Sequence, residues 1–220
     1  MATSTAPRLP LTRDRILQAA LQLADESGIE HLTMRKLGQA LGYEAMSLYN
    51  HVPNQNDLLG GLLDLVLAET EPPAPDVPWA SAIRDSARSV HGALRRHTWA
   101  AALIMSGAGA RPARLRYMDS LLGRLRDAGF SADTTYHVYH VLDGHIFGFT
   151  LWENSHVYNA EEMAGMKELF ERLIPRAEYP WLREHGDQHL HEGPHREVSA
   201  FEYGLDLILE GVQKIHAAET

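Results

Sequence analysis

Residues 33–58, TMRKLGQALGYEAMSLYNHVPNQNDL, leave little choice of local fold. Leu37, Leu41 and Leu48 fall at helical spacing on either side of Gly42, and Thr33 and Asn54 are good helix caps. The helices this allows are about two turns each, too short to be stable alone. They must therefore bury their leucines against each other and against a longer helix. Gly42 provides the turn and Pro53 ends the second piece. The spacing predicts a helix capped by Thr33, a turn, a helix from Glu44 or Ala45 ending before Pro53, and another from Gln55 to about Thr70.

A support helix is expected ahead of this stretch, capped by Thr12, with Ile16, Leu17, Ala20, Leu21 and Ala24 on one face and Gly28 at its end. After it, the proline-rich segment EPPAPDVP cannot continue a helix. Helical patterns then cover 79–97, 112–128, 160–174 and 199–216, with an apolar stretch at 99–105 and a long helix from Ser131 or Asp133 to about His156. Residues 179–196 read as irregular. Strand-like alternation is not seen, so the class is all-α. The expected organisation is a disordered arm at 1–11, a helix-turn-helix domain with its connecting helix at 12–70, a linker at 71–78, and a larger helical domain at 79–220.

Composition narrows the function. The 220 residues are 45% hydrophobic, enough for a packed core. There is no cysteine, which excludes disulfides, thiol nucleophiles and Cys-ligated zinc and fits a cytoplasmic protein. The N-terminus has no apolar signal core, and the run at 58–68 is too short to span a bilayer. A net charge of −9 argues against a non-specific nucleic-acid coat, yet Arg8, Arg13, Arg15, Arg35 and Lys36 concentrate positive charge around the helix-turn-helix.

The short helix after Gly42 carries residues suited to a DNA groove. Ser47 and Tyr49 reach phosphate or base edges, Ala45 and Met46 can meet a thymine methyl, and His51 can touch phosphate. Thr33, Arg35 and Lys36 stand at the head of the preceding helix, where cations and free N–H groups favour phosphate. The bland alternative is a solvated face on a small helical domain.

The stretch TMRKLGQALGYEAMSLYNHVPNQNDLL, with TRDRILQAALQLADESGIEHL before it, resembles the DNA-binding signature of TetR-type transcriptional regulators over residues 12–67. That resemblance implies a homodimer with two recognition helices in successive major grooves of a double-stranded operator. It also implies a C-terminal domain that senses an unidentified small molecule, repression relieved by that effector, and no enzymatic activity, cofactor or membrane partner. Residues matching Met34, Arg35, Ala45, Met46, Ser47, Tyr49 and His51 are the family's DNA contacts. Two positions depart from the pattern: Gln55 replaces the usual phosphate-holding lysine, and Val52 replaces a frequent aromatic residue.

Large side chains on the later helices nominate an effector pocket: His91, Trp99, Met105, Met118, Tyr136, His140, Phe147 and Trp152. Ordinary core packing is the alternative for each. Val138, His145 and Trp152 follow helical spacing, Gly144 and Gly148 form a small-xxx-small step, and Phe201, Leu205, Ile208 and Val212 make a second stripe. These stripes suit either a core face or a dimeric four-helix bundle. His185, His189, His191 and His195 could hold a metal, but the expectation is a solvated loop and no metal. A histidine-metal hydrolase and a helical adaptor are the competing functions, and no HExxH, triad spacing or phosphate loop supports the first.

Overall fold

The computed structural model describes residues 10–108, 111–156, 160–190 and 199–219. Among them there is no strand, and no helix is long and apolar enough to cross a membrane. Helix α1 (Arg13–Ser27) is capped by the Thr12 hydroxyl and buries Ile16, Leu17, Ala20 and Ala24. Helix α2 (Met34–Leu41) is capped by the Thr33 hydroxyl, which accepts from Lys36 N–H. Helix α3 is one turn, Ala45–Leu48, and α4 (Gln55–Ala68) starts at Asn54, whose side chain accepts from Asp57 N–H. The predicted helices of the first part are all present, and α3 is shorter than expected because Tyr49–His51 continue as turns.

Two glycines make the α2–α3 corner possible. Gly42 adopts φ 73°, the left-handed cap that side chains disfavour. Gly38 lies where Tyr43 folds back, donating its N–H to Gly38 C=O at 2.8 Å. A Cβ at Gly38 would stand 2.7 Å from Tyr43 O and 3.2 Å from Ala45 N. Leu37, Leu48 and Val52 are each 0% exposed and lock the corner onto α1 and α4. Val52 thus fills a closed site, which explains why no larger aromatic residue stands there.

The second part begins with α5 (Trp79–Arg96) and α6 (Ala100–Leu103), which runs into a wide turn at Ile104–Ala108. Helix α7 (Pro112–Asp127) and α8 (Ala132–Asp143) form an antiparallel pair joined across Gly129. The predicted long helix is real but not uniform: α8 passes through a π-helical stretch, Gly144–Phe149, into α9 (Thr150–Asn154). Helices α10 (Ala160–Leu173), α11 (Pro180–Leu190) and α12 (Ala200–Glu219) complete the order. Helix α11 corrects the expectation of irregular chain after Tyr179, because Pro180 opens a helix rather than breaking one. Residues 1–9 of the expected arm, His191 and His195, and the side chain of His189 lie outside the described residues.

One apolar core runs through both parts, from Ile16 and Leu37 by way of Leu62, Val66 and Leu94 to Phe147, Phe201 and Leu209. Helix α4 belongs to both halves, packing on α1 and also on α5 and α7.

Gly38→Ala should lower unfolding stability by roughly 1–3 kcal/mol, because the obstructing atoms are backbone. Gly123→Ala, inside α7 with open space at its Cβ, should instead raise it by about 0.5–1 kcal/mol. Denaturant titration of the two variants checks both signs.

Candidate DNA-reading head and effector cavity

The head presents the residues its sequence pattern nominated. Leu48 anchors α3 in the core, and the opposite side projects Met46, 76% exposed, and Tyr49, 40% exposed. Ala45, Ser47 and His51 are partly buried beside them, Met34 is half-buried at the head of α2, and Arg35 and Lys36 are exposed. The Thr33 hydroxyl is already engaged as the α2 cap. Gln55 is exposed in the first turn of α4.

The head is braced internally. Arg13 of α1 pairs with Asp57 of α4, Nη2 donating to Oδ1 at 3.0 Å, and its Nη1 also donates to His51 C=O at 3.2 Å. The Arg13 hydrogen bond holds the Asp57 carboxyl below its ordinary pKa, against the opposing effect of desolvation.

A second brace joins the head to the larger part. His97, just beyond α5 and 7% exposed, sits between two carboxylates. Its Nδ1 is 2.9 Å from both oxygens of Asp25 on α1, and its Nε2 is 3.1 Å from Glu69 Oε1 at the end of α4. Trp99 Nε1 donates to Asp25 at 2.8 Å and Arg96 to Glu69 at 2.7 Å. For Glu69 burial pushes the pKa up, but the hydrogen bonds from Arg96 and His97 outweigh it and leave it lowered. Helix α4 is also tied to α7: Asp64 accepts from Ala113 N–H at 3.0 Å, and Arg111 donates to Asn56 C=O at 2.6 Å.

Against the α4–α7 contact lies a cavity of about 290 Å³, lined by Leu67, Ala68, Thr70, Pro72, Ala113, Arg116, Tyr117 and Ser120. A larger hollow of about 640 Å³ follows the outer side of α1, but its walls come from that single helix, so it encloses nothing.

The residues nominated from sequence as a pocket do not converge there. Tyr136 and Met105 are 59% and 55% exposed, Trp152 is 43% exposed, and His140 faces solvent. Trp99 is committed to Asp25. His91 stacks on Phe201 with ring centres 3.8 Å apart and bonds Thr150 Oγ1 at 2.8 Å. Phe147 is 0% exposed beneath Arg114, and Met118 packs on the core. Large residues mark helices that pack, but which of them turn toward a cavity depends on helix rotation that periodicity does not resolve.

Several residues nominated for the dimer face are core residues of the protomer. Val138, Phe201, Leu205 and Val212 are between 0% and 6% exposed, and Ile208 packs against the core. His145 contacts α12 of its own chain, its Nε2 2.9 Å from Phe201 O, in a notch where a Cβ on Gly204 would meet its ring at 2.5 Å. The outward stripes are different: His137, Val141, Gly144, Gly148 and Trp152 on α8–α9, and Tyr203, Leu207, Gly211 and Ile215 on α12. Leu207, Val141 and Tyr203 are 55%, 53% and 63% exposed.

Sequence reasoning missed Arg114, Tyr117 and the His97 brace. One signal was available for Arg114: it stands in the apolar phase of α7 with Ala113, Tyr117, Leu121 and Leu125.

A small helical head with an exposed recognition turn, fused through a shared helix to a larger helical body, is the build of a ligand-responsive DNA-binding regulator. Residues 16–62 match the model of bacterial regulatory proteins of the tetR family, and residues 71–216 match the tetracyclin repressor-like C-terminal domain. The HTH-type transcriptional repressor DrrR1 of Streptomyces coeruleorubidus is 30% identical, over 97% of this chain and 82% of the repressor. The class A tetracycline repressor from transposon 1721 of Escherichia coli is 32% identical, over 93% of this chain and 91% of the repressor. Apo ActR from Streptomyces coelicolor superposes with a TM-score of 0.76 at 26% identity, covering 97% of this chain and 100% of ActR. The ActR complex with actinorhodin gives 0.74 at 26% identity, over 94% and 99% of the two chains. The chain belongs to the TetR family, and it is a dimeric, ligand-responsive, DNA-binding transcriptional regulator.

Asp57→Asn should lower stability near neutral pH by under about 1 kcal/mol, since the pair with Arg13 is partly exposed. A lowered carboxyl pKa adds stability above the unfolded value of about 3.9 and loses it as pH falls through the folded value. The difference between variant and wild type should therefore close below that range in acid titrations followed by circular dichroism.

Proposed function

We propose that this regulator is a cytoplasmic repressor without catalytic activity, released from its operator when a small molecule occupies the α4–α7 cavity. The observation that carries the reading is the position of α4. It frames the reading head through Arg13–Asp57 and also supplies Leu67, Ala68 and Thr70 near or at its end to the cavity wall. A ligand that prefers one position of α4 changes operator affinity by its differential binding to the two states. DrrR1 and the tetracycline repressor are named as repressors, and ActR binds actinorhodin, which supports repression and effector binding for this chain.

On the DNA, Met46 and Tyr49 read base edges with Ala45 and Ser47 beside them. Arg35, Lys36, Thr33, Met34, His51 and Gln55 lie toward the backbone. The neutral amide of Gln55 gives a hydrogen bond there in place of a charge. The organisation in this reading is a head at 12–70, a linker at 71–78 and a dimerising body at 79–220. The dimer forms through the outward stripes of α8–α9 and α12, where Gly144, Gly148 and Gly211 allow close approach.

Selection of bound DNA from a random library, followed by mobility shift of the selected site, tests the operator reading. Folded dimer that retards no sequence at low salt contradicts it. Arg35→Ala should reduce the slope of log affinity against log salt by about 0.9 per site contacted. An unchanged slope removes Arg35 from the phosphate contacts. Leu207→Glu should yield a folded monomer in sedimentation at micromolar protein, whereas Phe201→Ala should leave the dimer but cost about 3–5 kcal/mol of stability. A persistent Leu207→Glu dimer places the interface on another face.

A further inference from the structure

His91 of α5 meets α9 and α12 inside the body. Its ring lies flat on Phe201, with centres 3.8 Å apart and planes 5° from parallel, and His145 also stacks on Phe201 at 5.0 Å. The Thr150 hydroxyl donates to Ile146 C=O at 2.5 Å, so it meets His91 Nδ1, 2.8 Å away, as an acceptor. Nδ1 therefore carries the hydrogen, and in the neutral ring Nε2 is left as a bare acceptor. Nε2 faces Glu153 Oε2 of α9 at 3.4 Å. That oxygen is closed off from solvent and receives no hydrogen bond from the described residues, while Arg95 pairs with the other oxygen, Oε1. Two acceptors thus face each other with no hydrogen between them. Buried polar atoms nearly always have a partner, so a facing pair left bare marks a place for a missing hydrogen.

We propose that His91 Nε2 and Glu153 Oε2 form a proton-binding site through which the regulator responds to acid. A proton on Nε2 turns the facing acceptors into a charged, hydrogen-bonded pair, and adds a second tie between α5 and α9 beside Arg95–Glu153. Charged neighbours act from each side of the ring: Glu153 on α9 and Glu202 on α12 favour the cation, whereas Arg95 on α5 and His145 in the π-helical stretch oppose it. Burial outweighs the two carboxylates and holds the His91 pKa below the ordinary 6.5, so the ring is neutral near pH 7 and takes its proton only on acidification. Both ends of the tie bear on DNA binding. Helix α5 runs on to His97 and its bond to α1 of the head, and α9 carries Trp152 of the outward stripe. Operator binding depends on the geometry of two heads, so a tie made only in acid changes affinity by its different strength in the bound and free states.

Nuclear magnetic resonance of the full-length dimer, labelled with nitrogen-15 in its histidine rings, reads the tautomer directly. The His91 signals, identified by their loss in His91→Phe, should show a protonated Nδ1 and a bare Nε2 at about pH 8, and a midpoint below the ordinary value of about 6.5. Glu153→Gln keeps the shape and an acceptor for Arg95 but offers Nε2 an amide donor, so it should lower that midpoint by at least about one unit. Operator affinity at constant ionic strength should change between about pH 7.5 and about pH 5.0 by at least about threefold more in the wild type than in Glu153→Gln, with helicity and dimer retained. His91→Phe, which keeps a ring against Phe201 but cannot titrate, should match Glu153→Gln. A proton on Nε2 at about pH 8, a midpoint that Glu153→Gln leaves in place, or the same pH response of operator binding in wild type and Glu153→Gln overturns the switch. Failure to select any DNA counts against the operator reading instead, and the ring signals still decide the proton site.

Discussion

The imidazole of His97 is gripped by carboxylates from two helices with different duties. Asp25 belongs to the helix that supports the reading head, and Glu69 ends the helix that reaches the cavity. Each ring nitrogen faces a carboxylate oxygen, so one side chain makes directional contacts with both helices at once. Trp99 and Arg96 complete the cluster, and His97 is largely shielded from water, so its bonds are screened less than those at the surface. The joint adds direction to the contact between α1 and the body, which apolar packing does not supply.

A directional joint suits a switch that works by geometry. Two recognition turns must meet half-sites at fixed spacing, so a small rotation of each head weakens binding of the pair. Helix α4 can deliver that rotation because it is held along its length: by Arg111 at Asn56 and Arg13 at Asp57 near its start, by Ala113 N–H at Asp64, and by His97 and Arg96 at Glu69 just past its end. The cavity lies at the end farthest from DNA. In the proposed reading, a ligand against Leu67 or Ala68 acts on a helix whose other end carries Asn54 and Gln55, next to the recognition turn.

Much of the head was legible in the sequence because its information is local. Capping by Thr33, turning at Gly42 and anchoring by Leu48 are all settled within a few residues, and Met46 and Tyr49 are exposed because Leu48 is not. The body was legible as helices but not as surfaces. Helix α12 is apolar on two sides, and the sequence gives no sign that Phe201 and Leu205 turn inward while Leu207 and Tyr203 turn out. Aromatic size likewise drew attention to Tyr136 and Trp152, which are exposed, and away from Arg114 and Tyr117, which are buried within the apolar phase of α7. Helix α11 lies in the segment read as irregular, and Pro180 stands in its first turn.

If the His97 cluster holds the angle between head and body, its loss widens the spread of that angle. The chain has no cysteine, so one nitroxide per protomer can be placed on an exposed head residue by Gln39→Cys. Pulsed dipolar spectroscopy of the DNA-free dimer then reads the distance between the two heads. A single narrow distance in the otherwise native dimer, broadened by His97→Ala without loss of helicity or dimer, is the predicted result. A distribution of the same width and centre in both proteins would contradict the claim.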